Sequence, residues 1–266
     1  MKSSSLKYYI LLLLSVNLFL NAQNFQSNKL LSGCKTDLLS SGDIFGTRNF
    51  IENKGQFKNP IHASNPVHFT YEHGNEKIFF TSTGLVYEQT ERIDLKEEEE
   101  SKNGEKEHLE TPKKSFIEMN WLNCNTSAGI EKSEIQTHYF TYGSADLNAL
   151  ACKKILYRNI YPNIDIEYSL PSSRQSGIKY SFILHPGADL KMIKINYSGD
   201  VKSLRQTATG EILIHGKYND ILEQAPISYY EEDGAKLQSS FKLNKNTISF
   251  VIDQVLQVNK TLVIDP

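Results

Sequence analysis

Asp165 and Glu167 stand two residues apart in "YRNIYPNIDIEYS", and Asp189 follows in "HPGAD". Paired carboxylates are the equipment of glycoside hydrolysis, which needs two carboxyl groups facing each other across a sugar ring, about 5–10 Å apart. Residues i and i+2 of a strand share one face at roughly 7 Å. The spacing therefore permits the chemistry, as it does in any strand with a polar side. Calcium is the second chemistry open to these residues, since it takes Asp, Asn and carbonyl oxygens. Asn163, Asp165 and Glu167 would supply one set of ligands and Asp200 of "YSGD" a further one, but no compact Asp-x-Asp-x-Asp-Gly ladder occurs. The third possibility is that Asp165 and Glu167 are only the wet side of a half-buried strand. Its apolar side is then Ile164, Ile166 and Tyr168, and Pro162 and Asn163 supply the turn that starts it. The sequence favours this third possibility and assigns no catalytic residue, no metal ligand and no cofactor.

Other site chemistries lack their spacing. The seven histidines, His62, His68, His73, His108, His138, His185 and His215, form neither a His-Glu-x-x-His nor a His-x-His pattern, so zinc chemistry is not indicated. No Gly-x-Ser-x-Gly elbow occurs, and "SGDIFGTR" has neither the spacing nor the Lys of a phosphate loop. The cysteines are Cys34, Cys124 and Cys152, an odd number without a Cys-x-x-Cys. Buried or free thiols are favoured, with Cys124 and Cys152 the pair to expect if one forms. Asn-x-Ser/Thr triplets at Asn125, Asn196 and Asn259 carry meaning only in a host that glycosylates them.

The elements that would position these residues read as strands. The chain has 266 residues, 39% of them hydrophobic, enough for one large β domain or two small ones. Tyr 14 and Phe 13 against a single Trp suit a sheet, where flat rings pack across neighbouring strands. A net charge of −2 builds no field for nucleic acid or an anionic membrane, and both are excluded as partners.

"MKSSSLKYYILLLLSVNLFLNAQN" opens with Lys2 and Lys7, continues in an apolar run from Tyr8 to Leu20, and then offers the small residue Ala22. That layout predicts a signal peptide over 1–22, and the run is shorter than the roughly 20 residues of a membrane span. A secreted or outer-surface location follows, with no membrane span after cleavage. Residues 23–44, rich in Ser, Asn and Gly, are expected to be a flexible lead segment, and an all-β domain is expected over 45–266. "PVHFTYE" and "EKIFFTSTGLVYEQT" read as hairpin strands around His73, Gly74 and Asn75, with Gly84 breaking the second run. The charged tract 91–113, with Glu97–Glu100 in it, is predicted to be a mobile loop rather than an ion-binding tract. "KSFIEMNWL" and "IQTHYFTYG" are strands, and "SADLNALACKKILY" is expected to hold a helical turn. From there strand-type runs recur every ten to fifteen residues, separated by Pro186–Gly187, Ser198–Gly199, Thr209–Gly210 and Asp233–Gly234. The fold class is all-β, an antiparallel β-sandwich or rolled sheet with room for two β lobes.

A family resemblance rests on "FIENKGQF" (50–57), "HYFTYG" (138–143), "YRNIYPNIDIEYS" (157–169), "IKYSFILHPGADLKMIKINYSG" (178–199), "GEILI" (210–214), "EQAPISYYEEDG" (223–234) and "LVIDP" (262–266). From about Asn49 to the last residue the chain resembles the N-terminal domain of unknown function of bacterial extracellular proteins that continue into seven-bladed β-propeller (SBBP) repeats. Many Bacteroidota members of that group end in a gliding-motility-associated domain. The chain departs from the family pattern at His138, where Asn is usual, and at Leu256 and Gln257, where Tyr-Asp is common. The resemblance implies a secreted all-β domain without established catalytic residues, and β-propeller repeats as neighbours in longer relatives. It also implies that "LVIDP" closes the domain as a paired last strand, the chain being a fragment or a single-domain relative of a longer protein. The expected function is a non-enzymatic structural or adhesive module with a cell-surface glycan or protein as partner. A carbohydrate-binding module or a glycan-active enzyme are the alternatives.

Overall fold

Alternation turns most of the described residues into strand. Along "KSFIEMNW" Ser115, Ile117, Met119 and Trp121 are buried while their neighbours are not, and along "KYSFIL" Tyr180, Phe182 and Leu184 are. The computed structural model describes residues 48–92, 111–142, 147–171 and 177–266, all within the unit Phe45–Pro266. The expected signal peptide, the lead segment with Cys34, and residues 93–110 of the charged tract lie outside the described residues.

The strands are β1 (Phe50–Glu52), β2 (Val67–His73), β3 (Glu76–Thr81), β4 (Gly84–Thr90), β5 (Lys114–Trp121), β6 (Gly129–Thr141), β7 (Asn148–Tyr161), β8 (Ile164–Ser169) and β9 (Lys179–Leu184). After a short 3-10 turn, Leu190–Met192, come β10 (Ile195–Gly199), β11 (Ser203–Gln206), β12 (Ile212–His215), β13 (Ile221–Glu223) and β14 (Ile227–Tyr230). β15 (Lys236–Leu237), β16 (Ser239–Asn244), β17 (Thr247–Ile252) and β18 (Leu262–Asp265) complete the chain. Chain reversals fall at Gly187, Gly199, Gly210 and Gly234, each at positive φ, where the sequence placed them.

All the pairings are antiparallel. The larger sheet runs β15-β14-β18-β9-β8-β7-β1-β2-β3-β4-β5-β10-β17-β16, with β6 added on β7. Its two end strands, β15 and β16, are separated in sequence by Gln238 alone, so one bent stretch of chain joins the ends of the sheet. β7 is the opposite seam. Cys152 pairs with both Phe50 and Ile135, and residues 154–157 pair with both β6 and β8. Since a strand has two edges, β1 and β8 share one edge of β7 and β6 takes the other. The sheet folds over between these seams. Trp121 meets Tyr157 at 5.1 Å, Phe80 meets Tyr168 at 5.1 Å and Phe182 meets Phe250 at 5.6 Å, though these rings sit on strands far apart in the sheet order. This is the rolled antiparallel sheet the sequence predicts.

The smaller sheet, β11-β12-β13, contributes Ile212 and Ile214 to the same core. Gln89 of β4 anchors its hairpin, donating to the Asn219 carbonyl at 3.0 Å and accepting from the Asn219 N–H at 3.3 Å. β18 lies between β9 and β14 with Leu262, Val263 and Ile264 buried, the paired and covered strand expected of "LVIDP". The helical turn expected in "SADLNALACKKILY" is corrected for the described residues: Leu147 is irregular and 148–157 belong to the fourteen-residue strand β7, while 144–146 lie outside the described residues. Ala, Leu and Lys favour helix by local propensity, but partner strands on both edges of β7 override it.

Candidate functional site

The turn Pro162–Asn163 connects β7 to β8, with Asn163 in the left-handed region at φ 59. Between Tyr157 and Tyr161 the register slips: four steps along β7 face the two from Ile166 to Ile164 on β8. The extra residues bulge, and Asn159 takes φ 50. That bulge sets the Asn159 N–H 2.7 Å from Asp165 Oδ1 and Arg158 Nη1 2.8 Å from Oδ2. His185, at the end of β9, donates its own N–H to the Asn163 carbonyl at 2.9 Å, and its Nε2 lies 2.9 Å from Asp165 Oδ2. Arg158 also reaches Glu131 at 3.0 Å.

Asp165 is thereby 2% exposed, and its assignment to the wet face of β8 is corrected. A polar residue at an outward strand position is covered here by a bulge from the neighbouring strand. Burial raises the Asp165 pKa, but the Asn159 N–H, His185 and Arg158 together hold it below the ordinary carboxylate value. A general acid needs the opposite shift, and both oxygens are already committed. Glu167 is the member of the pair that stays half-exposed, 3.5 Å from Lys154. Asp189 accepts from the Lys191 N–H and starts the 3-10 turn, and Asp200 accepts from the Phe116 N–H at 2.8 Å. Asn163 forms the turn. Of the five residues that could have bound calcium or cleaved a glycoside, Asn163 and Asp165 meet at His185, Asp189 and Asp200 each cap a backbone N–H elsewhere, and Glu167 pairs with Lys154. Among the described residues no group of three or more His, Cys, Asp and Glu could hold a metal ion.

Two arrangements escaped the sequence. Glu223 of β13 is buried and accepts hydrogen bonds from Tyr180 of β9, at 2.9 Å, and Tyr197 of β10, tying the smaller sheet to two strands of the larger. Burial pushes its pKa up, while the hydroxyls of Tyr197 and Tyr180 pull the other way. Nothing in "NDILEQAP" marks this glutamate, because its partners are distant in sequence. His68 is the bulged residue of β2, and its Nε2 lies 2.8 Å from Ser82 Oγ. Burial lowers the His68 pKa and so favours the neutral ring. This is a nucleophile beside a base, but among the described residues no carboxylate is hydrogen-bonded to His68 to orient it.

The tyrosines point inward. Tyr71, Tyr87, Tyr157, Tyr161, Tyr168, Tyr180, Tyr197 and Tyr230 are buried, Tyr142, Tyr218 and Tyr229 are half-buried, and among the described Phe, Tyr and Trp residues only Tyr139 is exposed. A cleft of about 590 Å³ is lined by Gly74, Asn75, Thr90, Glu91, Lys217 and Tyr218 among others, with Glu91 its single carboxylate. Cys124 and Cys152 are free thiols, not a disulfide; burial raises both, Cys152 to about 11. Among the described residues no helix is long and apolar enough to cross a membrane.

A rolled antiparallel sheet whose conspicuous acids hold its own backbone defines the class of all-β domain to which the molecule belongs. The profile of the family described as Domain of unknown function (DUF7948) matches residues 50–266, and the chain belongs to that family. Neither a curated protein nor a solved structure matches it.

Proposed function

We propose that this chain is an exported, non-enzymatic structural or adhesive module of a bacterial cell-surface protein. The observation that carries the proposal is the commitment of Asp165, the acid best placed by sequence for chemistry, to three donors of its own fold at 2.7–2.9 Å. The alternatives draw less support. A glycan-active enzyme needs two carboxyl groups free to face a substrate, and a carbohydrate-binding module needs exposed rings in a row, where here most of the described tyrosines fill the core. The layout of residues 1–22 favours export. The resemblance to domains that precede SBBP repeats in Bacteroidota surface proteins, some of them associated with gliding motility, favours the surface role. The test is fractionation of a bacterial culture expressing the full chain, followed by a glycan array probed with residues 45–266. Recovery outside the inner membrane, with cleavage after Ala22, is expected. Retention of the uncleaved chain in the cytoplasm would refute export, and specific capture by one glycan class would move the function to sugar binding.

A further inference from the structure

We propose that the outer edge of β6 is an interface between two copies of this chain, an inference that rests on the structural or adhesive role above. None of the thirteen residues of β6 is buried. Its inner edge pairs with β7 from Gly129↔Arg158 to Thr141↔Asn148, and among the described residues no strand pairs with its outer edge. The other strands of the larger sheet have neighbours on both sides, save β15 and β16, which run into each other where the sheet closes. A free edge presents a row of unpaired N–H and C=O groups and accepts a further strand.

Charged side chains commonly guard such an edge, but those of β6 are drawn to its own neighbours. Lys132 contacts Glu52, Glu131 meets Arg158 at 3.0 Å and Glu134 meets Lys154 at 3.5 Å. Ile135 and Tyr139, meanwhile, stand 52% and 58% exposed.

The charge pattern selects the occupant. Two copies of one strand pair antiparallel about a twofold axis, and opposed residues must present their hydrogen-bonding groups to the same edge. Adjacent residues do not, so the axis passes through a residue. An axis at Glu131 or at Lys132 opposes that charge to itself. An axis at Ser133 sets Lys132, which also contacts Glu52, opposite Glu134 of the second copy, which also meets its own Lys154, and the symmetry repeats the unlike pair. Glu134 lies at φ 54, where β6 begins to bulge, so the shared ladder is confined to the few residues around the axis.

Sedimentation velocity of residues 23–266, the chain left after cleavage at Ala22, tests this, with a dimer expected to form as concentration rises to roughly 100 µM. Glu134→Lys, which opposes like charges twice, should weaken the dimer by at least about tenfold. The double variant Lys132→Glu, Glu134→Lys should restore it to within about threefold, because the unlike pairs return. The double variant also loses the Lys132–Glu52 contact, so recovery cannot come from better folding, and thermal unfolding of each variant checks the fold. A monomer at every concentration, a dimer indifferent to Glu134→Lys, or a double variant that fails to recover would overturn the proposal. So would a monomer that instead takes up an added extended peptide. Substrate turnover would refute the structural role and leave the association result standing, whereas a monomer would refute the edge contact alone.

Discussion

Replacing Asp165 with Asn removes one charge and little volume, so its effect isolates the polar contacts. The asparagine oxygen can still accept from the Asn159 N–H. Its amide nitrogen then faces Arg158 Nη1 and His185 Nε2, which lose their shared acceptor at 2.8 and 2.9 Å. A hydrogen bond to a charged group is worth about 1.5–3 kcal/mol. The Arg158 and His185 side chains are 44% and 40% exposed and can turn to water, which discounts both bonds. The net loss should be about 2–4 kcal/mol, mostly from the position left without a good acceptor. At about 2–4 °C per kcal/mol for a domain of this size, the melting temperature should fall by about 5–15 °C. Glu167→Gln, which loses one partly exposed 3.5 Å contact, should cost less than about 0.5 kcal/mol. The Asp165 pKa lies below its ordinary 3.8, so the stability it gives is present above that value and is lost as pH falls through the lower folded one. The gap between parent and Asp165→Asn should therefore close in strong acid. Urea and thermal unfolding followed by circular dichroism measure all of this. An Asp165→Asn variant within about 0.5 kcal/mol of the parent at neutral pH would refute the reasoning.

Glu223→Gln should gain on the parent as pH rises from 4.5, because a carboxyl whose folded pKa is raised becomes a growing liability above its unfolded value. Urea midpoints across that range check the slope, and a difference independent of pH would contradict it. Gly84→Ala should cost more than about 3 kcal/mol or abolish soluble protein, since its Cβ would sit 1.9 Å from the Met119 carbonyl oxygen at φ 152. A soluble variant with the parent's melting temperature would show that β4 and β5 can part there. Replacing residues 93–110 with a short Gly-Ser linker should leave stability nearly unchanged, because the Glu91 N–H already donates to the Lys113 carbonyl at 2.8 Å at the neck of the tract. A fall of more than about 10 °C would mean the tract packs against the domain.

Much of the sheet is legible in the sequence because period-two patterning is a local property. Ile178, Tyr180, Phe182 and Leu184 announce β9 without knowledge of any partner, and the Gly-containing turns mark where strands end. Only the first half of β7 was not legible: "NALACKK" favours helix by local propensity, "ILYRNIY" reads as strand, and β1, β6 and β8 make the whole stretch one strand. The candidate site failed for the same reason at finer scale. Alternation puts Asp165 and Glu167 on one face, but the bulge at 158–160 covers Asp165 and leaves Glu167 half-exposed. Asn159 and Asn163, residues that tolerate positive φ, were the available hint. Glu223 had none, since a buried acid is declared only by the tyrosines that reach it from β9 and β10.

If the chain is the structural module proposed, its acids and the His68–Ser82 pair hold the scaffold and turn over no substrate. A hydrolysis screen of residues 45–266 on polysaccharide, ester and peptide substrates tests it most directly, run beside the Asp165→Asn and Ser82→Ala variants. No turnover above background, identical in all three proteins, is the predicted result. Turnover by the parent that either substitution abolishes, with the variant still folded, would contradict it.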